Sequence, residues 1–280
     1  MIVVTGATGN VGRPLVQVLA EAGERVTAVS RNAAEGLPVG VLHRVADLAE
    51  PASLEPVLAG AEALYLLIAG SGAELDPEAV LGVAKAAGVR RVVLQSSQAA
   101  GTRPGLASHD GLRAFEAALR GSGLEWTVLR PGGFASNAYL WLESVKAHRT
   151  VAAPFGEVGL PLVDPADIAA VAAAALRDRA GAHAGRTYQL TGPARVSPRE
   201  QAEALAAAVG EPVRFVELSR DEARGHLTRF LPEVVAEGTL DILGEPNVEE
   251  VRLSPDVETV LGRAPHSFAD WAGRHAAAFR

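Results

Sequence analysis

The stretch Val3–Val16, "VVTGATGNVGRPLV", constrains the fold more than any other part of the 280-residue chain. A short β-branched run ends at Gly6. Gly9 and Gly12 come next at three-residue intervals, and an apolar helical pattern then begins. Gly6 permits a tight turn, Gly9 lets a pyrophosphate approach the backbone, and Gly12 lets the helix pack closely on the strand. The start of such a helix offers free N–H groups and the positive end of its dipole to an anion. An ordinary ligand-free turn is the plain alternative, but strand, turn and helix in this order predict dinucleotide binding.

Strand and helix go on alternating along the chain. Candidate strands at 25–30, 39–47, 63–69, 89–97 and 125–131 are separated by helical stretches. Several are continuous β-branched or leucine runs, the pattern of strands covered on both faces of a parallel sheet. "VGRPLVQVLAEAG" places Val11, Leu15, Val18, Leu19 and Ala22 on one helix face, with Gly23 as a left-handed stop. "DPEAVLGVAKAAG" begins with Asp76 as cap and Pro77 as first residue, and stops at Gly88. "SPREQAEALAAAVG" is capped by Ser197, and "TYQLTG" offers one more strand. The predicted fold is α/β: a doubly wound parallel (Rossmann) sheet with a small C-terminal substrate lobe. The expected division is 1–149 and 164–192 for the sheet domain, and 150–163 and 193–280 for the lobe.

The end of the second strand selects the dinucleotide. An NAD site usually carries Asp or Glu there to accept from the ribose 2′-hydroxyl. This chain has Ser30, Arg31 and Asn32. Arg31 suits a 2′-phosphate, and no carboxylate stands beside it to repel one, so NADP(H) is expected over NAD(H). Asp47, with Leu48 after it at the end of the third strand, is either an acceptor for the adenine amino group or a turn residue.

Composition removes other classes. A formal charge of −7, with no cluster of Lys and Arg, argues against nucleic acid. Zero cysteines exclude thiol nucleophiles and thiolate metal ligands. The seven histidines lack metal-site spacing, and no G-x-S-x-G elbow occurs, so neither a metal site nor a serine hydrolase is expected. The first residues run straight into a strand without a basic, apolar leader, and no apolar run is long enough for a membrane helix. A cytoplasmic protein acting on a small molecule is expected, with no membrane partner and no indication of an oligomer.

The pieces "TGATGNVG", "SRN", "ADL", "VVLQSS", "SGLEWTVLRPGGFASN" and "LPLVDPADIAAVAAAAL" run in an order that resembles the NmrA-like branch of the atypical short-chain dehydrogenase/reductases. The tail "VLGRAPHSFADWAGRH" is also similar, so the resemblance spans most of the chain. It implies NADP(H) held between a Rossmann domain and a substrate lobe. The family includes quinone and azo-compound reductases, and also members that only sense redox state. By position, the resemblance assigns Ala7, Thr8, Gly9, Asn10 and Val11 to the dinucleotide. It adds Ile68, Ala69 and Gly70 after the fourth strand, Ser96 and Ser97 after the fifth, and Pro131 and Gly132 after the sixth. Phe134 and Asn137 are implied near the substrate.

Catalytic members of the wider superfamily use Tyr-x-x-x-Lys on the helix after the fifth strand. Here the residues four beyond Tyr65, Tyr139 and Tyr188 are Ala69, Glu143 and Gly192, so the dyad is missing. His109 and Arg113 share one helix face at i, i+4. His109 is a candidate proton donor and Arg113 a candidate charge stabiliser; the alternative is a solvated helix start. Ser97 is the remaining catalytic candidate. Asp164 and Asp167 read first as capping residues of the alanine-rich helix. Trp126, Trp141 and Trp271 read as packing residues, although Trp141 with Phe134 also suits an apolar wall for an aromatic substrate. Two functions remain open: an NADPH-dependent reductase of small apolar electrophiles (quinone-like compounds, ketones or enones), and a non-catalytic NADP(H) sensor acting through a protein partner.

Overall fold

The computed structural model describes all residues, 1–280. Up to Pro131 the chain runs β1 (Ile2–Val4), α1 (Gly12–Glu21), β2 (Val26–Ser30), β3 (Leu42–Val45), α2 (Glu55–Leu58), β4 (Ala63–Leu67), α3 (Pro77–Ala86), β5 (Arg91–Gln95), α4 (Gln98–Thr102), α5 (Asp110–Gly121) and β6 (Glu125–Pro131). Next come α6 (Leu142–His148) and β7 (Thr150–Ala153), then α7 (Pro165–Arg177) and β8 (Arg186–Leu190). The remainder is α8 (Pro198–Val209), β9 (Arg214–Glu217), α9 (Arg220–Leu227), α10 (Glu233–Gly244), α11 (Asp256–Leu261) and α12 (Phe268–Phe279).

The chain divides into two compact units. The first holds Met1–Pro131, Pro165–Leu190 and Thr259–Gly262. Its sheet has seven strands in the order β3-β2-β1-β4-β5-β6-β8, all parallel. Helices α1 and α7 pack together on one face, and α3 and α5 on the other. The continuous apolar runs of β1, β4 and β5 are buried because both faces are covered. β3 is shorter than the 39–47 expected. It is the sheet edge, and Leu42, Arg44 and Val45 on it are exposed.

Local signals behave as their chemistry dictates. Gly23 and Gly88 end α1 and α3 at φ 77 and 85. The Asp76 and Ser197 side chains accept from the amides of Ala79 and Glu200, capping α3 and α8.

The second unit holds Gly132–Asp164, Thr191–Glu258 and Arg263–Arg280. It therefore starts at Gly132, where the sequence pattern predicts a boundary after 149. Ala135, Ala138 and Val145 explain the shift, because they are buried in the core of this unit with Leu205, Trp271 and Phe279. β7 pairs in parallel with β9 in a separate two-stranded sheet. Around α12, Tyr139, Phe268, Trp271 and Phe279 form an aromatic cluster.

The β1–α1 junction is the tightest point of the first unit. A Cβ on Gly12 would lie 2.1 Å from the Gly6 carbonyl oxygen and 2.7 Å from the Ala7 Cα. Both are backbone atoms that cannot rotate away. We expect Gly12→Ala to lower stability by roughly 1–3 kcal/mol or more, the scale of core overpacking. Thermal and urea unfolding would measure it.

Candidate active site

Thr5 anchors the glycine turn. Its hydroxyl donates to the Tyr65 carbonyl at 3.1 Å and accepts from the Leu67 amide at 2.9 Å, which ties the end of β1 to β4. Gly6 then turns at φ 62. No side chain caps α1. The Arg13 amide donates to the Gly9 carbonyl at 3.0 Å, and Pro14 has no N–H. The amides of Val11 and Gly12 find no carbonyl partner. A turn with unused amides at an uncapped helix start fits a pyrophosphate. Gly9 has only the Gly6 carbonyl, at 3.3 Å, near a notional Cβ, so the space over it is open.

At the end of β2 the Ser30 hydroxyl donates to the Asn32 carbonyl at 2.7 Å and meets His43 Nε2 at 2.8 Å. Arg31 is exposed and makes no hydrogen bond or ion pair. Asp47 occupies a turn: one carboxylate oxygen accepts from the Ala49 amide at 3.0 Å, and Ser53 bonds its backbone. Leu48 packs on the apolar core. After β4, Ile68 is buried and Gly70 adopts φ 69. A Cβ on Gly111 in α5 would meet the Ser71 carbonyl at 2.3 Å, so the start of α5 rests on this loop.

The two serines after β5 have different states. Ser96 is buried and donates its proton to Glu116 at 2.6 Å. It therefore acts as a strut between β5 and α5, where the resemblance placed it at the dinucleotide. Ser97 accepts from the Ala99 amide at 3.3 Å as the cap of α4, and its own O–H donates to nothing in the structure.

His109 lies just outside α5, as its N-cap at the end of a short 3-10 turn (Ala107–His109), and not on one helical face with Arg113; its Nδ1 meets Ser108 Oγ at 3.0 Å. The Arg113 guanidinium donates to the carbonyls of Arg103 (3.1 Å) and Leu106 (2.8 Å) and to Asp110. Arg113 thus stitches the loop before α5.

Glu116 is a site residue that sequence reasoning missed. It is 1% exposed and accepts from Ser96, from Arg130 Nε at 2.9 Å and Nη2 at 2.6 Å, and from Arg120 Nη2 at 2.8 Å. Burial pushes its carboxyl up, but the bonds from Arg130, Ser96 and Arg120 outweigh that and hold it below the usual carboxylate value. The available signal was a carboxylate between Leu112 and Leu119 on the apolar face of an amphipathic helix.

No tyrosine is set up as an acid. The Tyr65 phenol is buried against Gln95, and burial pushes it far above its ordinary value. Tyr139 bonds His275 Nδ1 at 2.7 Å and is raised in the same way; Tyr188 bonds His183 Nδ1 at 2.8 Å.

The structure gathers Gly6–Gly12, Ser30–Asn32, Asp47, Leu48, Ile68–Gly70, Ser96 and Ser97 at the carboxyl ends of successive parallel strands, where α/β sheets bind ligands. Pro131 ends β6. Gly132, Phe134, Asn137 and Trp141 belong to the second unit. There Phe134 bridges to Val163, and the Trp141 indole donates to the Ala152 carbonyl at 3.0 Å, a packing role.

Residues 6–179 match the NAD(P)H-binding family. A (4-alkanoyl-5-oxo-2,5-dihydrofuran-3-yl)methyl phosphate reductase of Streptomyces griseus is 37% identical over 100% of this chain and 99% of its own. The chain belongs to this NAD(P)H-binding family. An NAD(P)H azoreductase of Xenophilus azovorans is 32% identical over 100% of the chain and 99% of its own. The NADPH complex of an Escherichia coli quinone oxidoreductase superposes with a TM-score of 0.79 at 26% identity, covering 98% of this chain and 99% of that one. This reductase is therefore an NAD(P)H-dependent oxidoreductase, and the enzyme reading holds over the sensor. No helix in it is long and apolar enough to cross a membrane.

Removing the Glu116 carboxylate leaves Arg130 and Ser96 without their shared acceptor. We expect Glu116→Ala to cost about 3–5 kcal/mol, the scale for breaking a buried ion pair. A carboxyl held low in the folded state stabilises above its unfolded pKa and loses that contribution as pH falls through the folded value. Urea titrations of wild type and variant should therefore diverge fully at neutral pH and converge below the ordinary carboxyl value of 4.5.

Proposed function

We propose that this oxidoreductase prefers NADPH to NADH and reduces a small, apolar, conjugated electrophile such as a quinone or enone, without a tyrosine–lysine dyad. The observation that carries the reading is the state of the hydroxyls. All three tyrosines are hydrogen-bonded within the fold, and α5 carries neither tyrosine nor lysine. With no activated phenol, the acceptor itself must stabilise the negative charge left by hydride addition.

When bound, a reduced nicotinamide would supply the hydride to a conjugated acceptor, whose oxygen would take the displaced π pair. A proton from water or His109 would complete the reduction. The uncommitted O–H of Ser97 polarises that oxygen as charge develops. His109 is the protein's own candidate donor, and Arg113 holds its loop. Asp47 and the loop Ile68–Gly70 support the adenosine side. Arg31, unpaired and free of neighbouring carboxylates, receives the 2′-phosphate. The named reductase and azoreductase relatives support the class of acceptor.

A stopped assay of NADPH loss over quinones, enones and simple ketones tests this. Quinones and enones should be reduced and unactivated ketones should not; turnover of ketones alone would defeat the reading. Ser97→Ala should lower kcat by roughly 100–1,000-fold with the fold retained, the range for losing one oxyanion donor.

A further inference from the structure

The His43 imidazole on β3 faces the end of β2, where nothing in the expected site required it. The Ser30 hydroxyl has one proton, and that proton is given to the Asn32 carbonyl at 2.7 Å. His43 Nε2, 2.8 Å from the same oxygen, must therefore be the donor, which fixes its tautomer as Nε2–H. The result is a relay, His43 to Ser30 to the Asn32 carbonyl, in which each bond polarises the next.

Its effect bears on charge. A carbonyl oxygen exposed at this turn would repel a phosphate. The Ser30 proton engages that oxygen and so weakens its repulsion of an anion arriving at the unpaired Arg31. We propose that His43 is a specificity-determining positioning residue that acts through Ser30 to favour a 2′-phosphorylated dinucleotide over an unphosphorylated one. The proposal rests on the assignment of Arg31 to the 2′-phosphate.

The test is titration of the full-length protein with NADPH and with NADH, monitored by quenching of tryptophan fluorescence, for wild type, His43→Leu, His43→Gln, Ser30→Ala and Arg31→Ala. His43→Leu and Ser30→Ala should each raise the NADPH Kd about 10-fold, the scale of one hydrogen bond, and leave the NADH Kd within about twofold. His43→Gln keeps an N–H donor of similar reach and should restore most of the preference. Equal weakening of both dinucleotides, or no change in their ratio while Arg31→Ala abolishes it, would overturn the role of His43 and leave the NADPH assignment intact. An Arg31→Ala protein with unchanged preference would overturn both. Ser30→Ala decides the matter if His43→Leu does not fold.

Discussion

The contact between Gly12 and the Gly6 carbonyl determines where the chemistry of this reductase can sit. With only 2.1 Å available to a Cβ, α1 is held against the end of β1 with its first turn over the carboxyl edge of the sheet. Thr5 fixes the strand beneath it by bonding two residues of the β4 strand end. The consequence separates α1 from the capped helices. Serine or aspartate side chains close the starts of α3, α4, α8, α9 and α12, whereas α1 has no side-chain cap and its Val11 and Gly12 amides meet no backbone carbonyl. A helix start of that kind suits an anion.

Tracing each donor to its acceptor also separates neighbouring residues that look alike in the sequence. Ser96 and Ser97 both come after β5, yet one proton is committed to Glu116 and the other is not. Side-chain direction alternates at a strand end, so adjacent residues face opposite environments. Ser96 turns to α5, and Ser97 turns to the start of α4.

Much of the fold was legible because it obeys local rules. Glycine spacing, buried β-branched runs and the Asp76 and Ser197 caps each encode a structure within a few residues, and the parallel sheet emerges from their alternation. The boundary at Gly132 was not legible. Ala135, Ala138 and Val145 are small or apolar residues that suit either core, and only tertiary packing shows that they fill the second. Glu116 and His43 were missed for a related reason. Each is defined by partners distant in sequence, Arg130 and Ser96 in one case and Ser30 in the other. Arg113 shows the reverse case: the i, i+4 spacing suggests a shared helix face, but His109 stands outside α5 as its N-cap, and the Arg113 guanidinium binds loop carbonyls that no helical pattern reveals.

The absence of an activated phenol bears on what the site can reduce. A reductase that supplies one can force hydride onto an ordinary carbonyl, because the alkoxide is protonated as it forms. The α5 helix of this chain instead commits its inward polar group, Glu116, to two arginines and a serine that join β5 and β6. That arrangement gives a rigid strand end in place of a proton source. On the proposed reading, selectivity falls on the acceptor's electronic structure, whose conjugation holds the charge until a proton arrives. The relatives named for a furanone phosphate, an azo compound and a quinone show that likeness of chain does not fix the substrate, which has to be argued from the site.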